Sequence, residues 1–281
     1  MSIGEGAFRV LAGLLKSRSG VVLGREKAHF LESRLLPVAA HARLPDVDAL
    51  AAALVRPGSE ALAVETVEAM LNNETYFYRD TAPFELLRSG VLPALRRARQ
   101  ATRHLRIWCA AASTGQEPYS IAMMLTADEA AWAGWHIEIV ATDLSRRALD
   151  RAEAGLYSQF EVQRGLPIQA LVRHFEKEGE QWRLNRDIRR RVRFRQINLA
   201  QSFAQLGQFD VVLCRNVLMY FDGPAKADIL SRIRRTMPAD GCLLLGAAET
   251  VLGLDVDFRP DWVNRGLYRV GATDLPKVVN F

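Results

Sequence analysis

The sequence predicts an α/β fold: a doubly wound, mostly parallel sheet domain preceded by an all-helical block. Three observations carry this. From residue 104 onward, short β-branched runs alternate with amphipathic helical stretches, the pattern of βαβ units joined by right-handed crossovers. Residues 1–72 show helical periodicity alone. Four successive strand-like runs also end in small or polar residues, where an open parallel sheet holds its ligands.

Within the first block, "MSIGEGAFRVLAGLLKSRSG" sets Phe8, Leu11 and Leu15 on one helical face. Glu5 and Arg9 interrupt its apolar stretch, so it reads as an amphipathic helix and not as a signal peptide. "AHFLESRLLPVAAHARL" and "DVDALAAALV" continue at three-to-four spacing, with breaks expected at Pro37, Pro45 and Pro57–Gly58. Asp46 is the expected N-cap after Pro45, and Ser59 that of "SEALAVETVEAML". Residues 73–103 are expected to be a linker, and residues 104–271 the sheet domain.

The predicted strands are "HLRIWC", "HIEIVAT", "VRFRQIN", "FDVVLC" and "GCLLLGA", and "NRGLYRVG" adds an antiparallel edge. Helical stretches between them are "EPYSIAMMLTADEAAW", "SRRALDRAEAG" and "AKADILSRIRRTM". A charged, partly β segment at about 156–195 interrupts the rhythm and reads as an inserted subdomain. Residues 272–281 have little to pack and are expected to be disordered. No internal repeat or low-complexity tract is present.

Composition narrows the function. The chain has 281 residues, 49% hydrophobic and 25% charged, as in a soluble globular protein. It lacks the uncharged apolar run of roughly 18 residues that a membrane span needs. Cys109, Cys214 and Cys242 lie far apart in apolar runs. They read as buried thiols in a reducing cytoplasm, a poor disulfide framework or metal site. The net charge of +5 is clustered. Arg25, Lys27, Arg34 and Arg43 fall on a predicted helical segment, a second group spans Arg96 to Arg106, and "RRRVRFR" occupies 189–195. An acidic protein surface, nucleic acid and plain solubility each account for such clusters.

The strand ends hold the candidate site. The first runs into "CAAASTGQEPYS", a small-residue loop in which Gly115 would let a ligand approach the backbone. The second ends in "ATDLS", where Asp143 either meets ribose hydroxyls or caps the helix beginning at Ser145. The third ends in "INLA" and the fourth in "CRN". Helix capping does not account for four such ends together.

These strings, with "NNETYFYRD" (72–80), "WCAAASTGQEPYSIAM" (108–123) and "FDVVLCRNVLMYFD" (209–222), resemble CheR-type chemoreceptor methyltransferases in sequence and order. The resemblance covers roughly residues 5–270. It implies a Rossmann-like S-adenosylmethionine-dependent methyltransferase domain with a small inserted β-subdomain. It also implies transfer of methyl from S-adenosylmethionine to receptor glutamates, leaving S-adenosylhomocysteine, with no metal. Carried over by position, it implies cofactor contacts from Asn73, Thr75, Arg79, Glu117, Asp143, Asn198, Leu199, Arg215 and Asn216. Glu117 suits the donor's ammonium, Arg79 a carboxylate, Asp143 the ribose and Asn198 the adenine edge. Each residue has a plainer reading: Glu117 complements a helix dipole, Asn73 and Thr75 form a cap and a turn, and Arg79 pairs with Asp80. Tyr76, Phe77 and Tyr78 read as packing aromatics, and Tyr78 stands where the family commonly has phenylalanine.

Mechanism and partners follow from the same resemblance. A glutamate acceptor, with a pKa of about 4.3, is ionised at neutral pH and needs no strong base. Consistently, His29, His41, His104, His136 and His174 all lie outside the motifs. Arg79 and Tyr220 are the candidates for orienting the acceptor carboxylate. Chemoreceptor helices are the expected partner, through a basic N-terminal face formed by Arg25, Lys27, Arg34 and Arg43; no nucleic acid and no membrane insertion are expected. The short "HFEKEGEQWRLN", with the single Gly179, favours a form that needs no receptor C-terminal pentapeptide tether. An RNA methyltransferase and a non-catalytic cofactor-sensing regulator are the alternatives.

Overall fold

In the computed structural model of the chain, which describes residues 3–271, the helical block is built from α1 (Glu5–Ser19), α2 (Ala28–His41), α3 (Val47–Leu54) and α4 (Glu60–Met70). Phe8, Leu11 and Leu15 turn inward from α1 against Leu31 and Leu35 of α2, Leu50 of α3 and Val67 of α4. Asp46 caps α3, its carboxylate accepting from the Ala49 N–H at 2.7 Å. Two expectations fail here. Pro37 lies inside α2 and does not end it: buried Leu35, Val38 and Ala39 hold the helix through the missing N–H. Ser59 begins α4 without capping it, because its hydroxyl donates back to the Leu54 carbonyl.

The stretch expected to be a linker is folded. α5 (Ala82–Leu86), a π-helical turn at Leu87–Val91 and α6 (Leu92–Ala98) bury Phe84, Leu87 and Leu95 in the core beneath the sheet. The central strands of that sheet are buried on both faces. In β1 (His104–Ala110), Leu105, Ile107 and Cys109 enter one apolar layer, and Trp108 and Ala110 the other.

The chain continues through α7 (Gln116–Ala127), β2 (His136–Asp143) and α8 (Arg146–Ala154) to the inserted segment. There β3 (Leu156–Ser158), α9 (Gln159–Gln163), α10 (Ile168–His174), β4 (Phe175–Glu178) and β5 (Gln181–Leu184) form a separate antiparallel sheet, ordered β3–β5–β4. After α11 (Arg186–Arg189), β6 (Val192–Gln196) pairs with β2. The expected insertion boundary of 195 therefore runs too far, since β6 is the edge of the main sheet.

The last elements are β7 (Val211–Cys214), α12 (Gly223–Arg235), β8 (Cys242–Leu245), β9 (Phe258–Pro260) and β10 (Leu267–Val270). The seven-stranded sheet runs β6–β2–β1–β7–β8–β10–β9. Its first five strands are parallel, and β10 lies antiparallel to both β8 and β9. The strand order reverses between β1 and β7, which opens a crevice at their carboxyl ends. The strand β9 has no counterpart in the sequence reading. Residues 272–281, expected to be disordered, lie outside the described residues.

Candidate active site

Left-handed backbone marks the crevice. Tyr78, Asp80, Thr81, Ala111, Ser113 and Asn216 all have φ between 40° and 68°, a region that non-glycine residues rarely enter. Such conformations persist where the surroundings enforce them, commonly at functional sites. These six lie on the loops leaving β1 and β7 and on the segment before α5.

Behind β1, Asp143 holds the loop in place. Its two carboxylate oxygens accept the Ser113 N–H at 2.8 Å and the Ser145 N–H at 2.9 Å. Ser145, not Asp143, caps α8, accepting from Ala148 N–H at 3.0 Å. Burial raises the Asp143 pKa, and the backbone N–H groups oppose that rise. Gly115 does not face the cleft. A side chain there would lie 2.9 Å from the Ala152 methyl and 3.0 Å from the Tyr119 ring, and its φ of +93° suits glycine. Its smallness serves helix packing, not ligand approach.

At the end of β7 the Arg215 guanidinium is almost fully buried. It donates to Glu117 Oε2 at 2.8 Å, to the Arg79 carbonyl at 2.8 Å and to Asp80 Oδ2 at 2.8 Å. Asp80 thus pairs with Arg215 and not with its neighbour Arg79. The Arg79 side chain instead donates to the Glu74 carbonyl at 2.8 Å and lies over the Tyr76 ring. Burial raises the Glu117 pKa, with Arg215 acting against it. Phe77 packs against Tyr157 and Phe175 of the inserted segment, and Tyr78 against Phe84, where burial pushes its phenol up to about 12.

The helical block closes the other wall. Asn198 donates to the Arg18 carbonyl at 2.7 Å, Val22 N–H to the Tyr220 carbonyl at 2.8 Å, and Asn72 to the Tyr220 hydroxyl at 2.7 Å. Arg34 braces this corner through Asn72 Oδ1 and the carbonyls of Met70 and Leu71. Between the walls lies a cleft of about 440 Å³, lined in part by Leu15, Val21, Leu23 and Leu31. That volume suits a small-molecule ligand, for which pockets of ~300–1,000 Å³ are usual.

All ten residues singled out from the sequence border this cleft: Asn73, Thr75, Arg79, Glu117, Asp143, Asn198, Leu199, Arg215, Asn216 and Tyr220. No histidine is among the described lining residues. Sequence reasoning assigned no site role to Asn72, Asp80 or Glu249. Asn72 and Asp80 stand at the two ends of the string 72–80, the second read only as a partner for Arg79, whereas nothing in "GAAET" distinguished Glu249. Arg25, Arg34 and Arg43 do not share one helical face. Arg25 sits on a short 3-10 turn paired with Glu5 at 2.6 Å, Arg34 braces the cleft, and Arg43 lies past the end of α2. The Lys27 side chain lies outside what is described.

The residues present fit S-adenosylmethionine. Two buried carboxylates stand at the ends of β2 and α7, one suited to a ribose and one to an ammonium, and an apolar wall faces them. Among the described residues, no group of three or more His, Cys, Asp or Glu could hold a metal ion, and no helix is long and apolar enough to cross a membrane.

Comparison with known proteins agrees with this geometry. Residues 73–262 match the family described as CheR methyltransferase, SAM binding domain. The chain is 40% identical to chemotaxis protein methyltransferase Cher2 of Pseudomonas putida, over 90% of this chain and 94% of that one. It is 41% identical to chemotaxis protein methyltransferase 1 of Pseudomonas aeruginosa, over 90% and 93%. It is 36% identical to the chemotaxis protein methyltransferase of Vibrio anguillarum, over 95% and 97%.

Proposed function

The chain belongs to the CheR methyltransferase family, and from that premise we propose that it methylates glutamate side chains of chemoreceptors. The products are a protein glutamate methyl ester and S-adenosylhomocysteine. The observation that carries this is the convergence of Glu117, Asp143, Asn216 and Tyr220, from three separate stretches of chain, on one cleft with no histidine among its described lining residues.

When bound, S-adenosylmethionine supplies a methyl group on a sulfonium, open to in-line displacement by a carboxylate. The chain's own groups bind and orient. Glu117 would take the ammonium and Asp143 the ribose, and the apolar wall of Leu15, Val21, Leu23 and Leu31 would exclude water from the cleft. The acceptor glutamate arrives ionised, so no residue need remove a proton. Arg79 and Tyr220 orient its carboxylate. Arg79 serves orientation and not activation, because a tight ion pair would dull the nucleophile. Holding the reacting atoms in line can supply roughly 7–11 kcal/mol of the barrier in favourable cases.

The enzyme acts in the cytoplasm on receptor helices that present acidic side chains. Arg25 and Arg43, both exposed, are the docking charges; binding should weaken as salt rises, through screening. The inserted sheet joins β4 to β5 through the two-residue turn Gly179–Glu180. So short a turn supports activity without a pentapeptide tether, and removing the receptor's C-terminal pentapeptide should leave the rate unchanged.

The deciding experiment incubates the protein with receptor-bearing membranes and labelled donor. Label in a base-labile protein ester supports the proposal. Label in RNA, or product binding without any turnover, overturns it.

A further inference from the structure

Glu249, in the loop after β8, gathers four backbone N–H groups on one carboxylate. Its Oε2 accepts from Asn216 at 2.7 Å and from Gly246 at 2.8 Å. Its Oε1 accepts from Val217 at 2.9 Å and from Met219 at 3.3 Å. The side chain is buried and does not border the cleft. Converging amide dipoles of this kind form an anion nest, here filled by the protein's own carboxylate.

The arrangement is tight. At Gly246 a Cβ would fall 2.7 Å from Glu249 Oε2 and 2.9 Å from the Asn216 nitrogen, so only glycine allows the carboxylate to reach both loops. Asn216 is held at φ 58°, where an L side chain costs energy unless something enforces it. The clamped segment then turns through Leu218–Tyr220 and presents Asn216, Val217 and Tyr220 to the cleft.

We propose that Glu249 is a positioning residue for methyl transfer: it fixes the 216–219 backbone from behind, so that Asn216 meets the donor and Tyr220 the acceptor. It touches neither reactant. This rests on the function proposed above.

The test is Glu249→Gln. The amide keeps the shape but turns an NH2 toward two backbone donors, which breaks at least one pair of bonds. With the fold intact by near-UV circular dichroism, kcat should fall by about tenfold or more, with a smaller rise in KM for the donor through the displaced Asn216. Tyr220→Phe combined with Glu249→Gln should lose less than the product of the two single losses, because both act through the same hydroxyl. A wild-type kcat in Glu249→Gln, a multiplicative double variant, or a loss matched by the unfolded fraction overturns the proposal. Should Glu249→Gln fail to fold, amide exchange on the wild-type protein decides: protection at Asn216, Val217 and Met219 is expected, and exchange at the rate of free surface amides refutes the clamp. Wild-type protein that methylates no receptor would refute the function itself. Wild-type turnover with an indifferent Glu249→Gln refutes only this inference.

Discussion

Arg215 and Glu117, 98 positions apart in the chain, meet at 2.8 Å in the wall of the cleft, with the guanidinium almost entirely removed from water. The contact ties the end of β7 to the first turn of α7, and through Asp80 and the Arg79 carbonyl it also ties in the segment before α5. One buried cation thus organises three stretches of chain around the cleft.

Removing that cation strands two carboxylates. Arg215→Met should destabilise the fold by about 3–5 kcal/mol, the usual penalty for breaking a buried pair from one side. Urea unfolding measures it, and an unchanged midpoint would show that the pair contributes nothing to the fold.

Cofactor affinity should depend on pH in a definite direction. Burial raises the pKa values of Glu117 and Asp143 in the free protein, and the contacts proposed for them to ammonium and ribose require both as carboxylates. Affinity for S-adenosylhomocysteine is therefore full above those raised values. As pH falls through them it should drop by up to about tenfold per unit for each group. For stability the sign reverses. Above the raised values each buried charge weakens the fold, and that penalty is relieved as pH falls toward the ordinary carboxylate range. Calorimetry from neutral to acid pH, on wild type and Glu117→Gln, separates the contributions; a flat wild-type profile contradicts the assignment.

Arg79 is partly exposed and holds one backbone carbonyl and one aromatic face. Arg79→Ala should cost under about 1 kcal/mol of stability yet lower turnover by about a hundredfold. Near-normal turnover would remove Arg79 from the catalytic residues.

Deep in the sheet, the Trp108 indole N–H donates to Thr142 Oγ1 at 2.9 Å, with both residues buried. Thr142→Val keeps the shape and deletes the acceptor, which leaves a buried donor unpaired. The expected cost is about 1–3 kcal/mol, read from thermal or urea unfolding. A variant as stable as wild type would mean that the indole finds another acceptor.

Much of the fold was legible because strands buried on both faces read as continuous apolar runs, as in "FDVVLC" and "GCLLLGA". The helical block was legible because Phe8, Leu11 and Leu15 recur at helical spacing. Breaks and caps were less so. Pro37 was overruled by the packing of its neighbours, and the Ser59 hydroxyl found an acceptor behind it rather than the helix ahead. The three residues of β9 owe their conformation to pairing with β10, so no local pattern announced them.

The cofactor roles, and Asn73, Thr75 and Arg79 altogether, came from the resemblance to the family. The rim itself, at Asp143, Asn198, Arg215 and Asn216, was legible in the linear order of residue types at strand ends, since an open parallel sheet delivers its carboxyl ends to one edge. Their partnerships were not. Which acid takes Arg215, whether Asp143 or Ser145 caps α8, and what holds Asn216 left-handed all depend on atoms brought within about 3 Å by folding. A hydrogen bond selects by distance and direction in space, and neither exists until the sheet has closed and the helical block has docked against it.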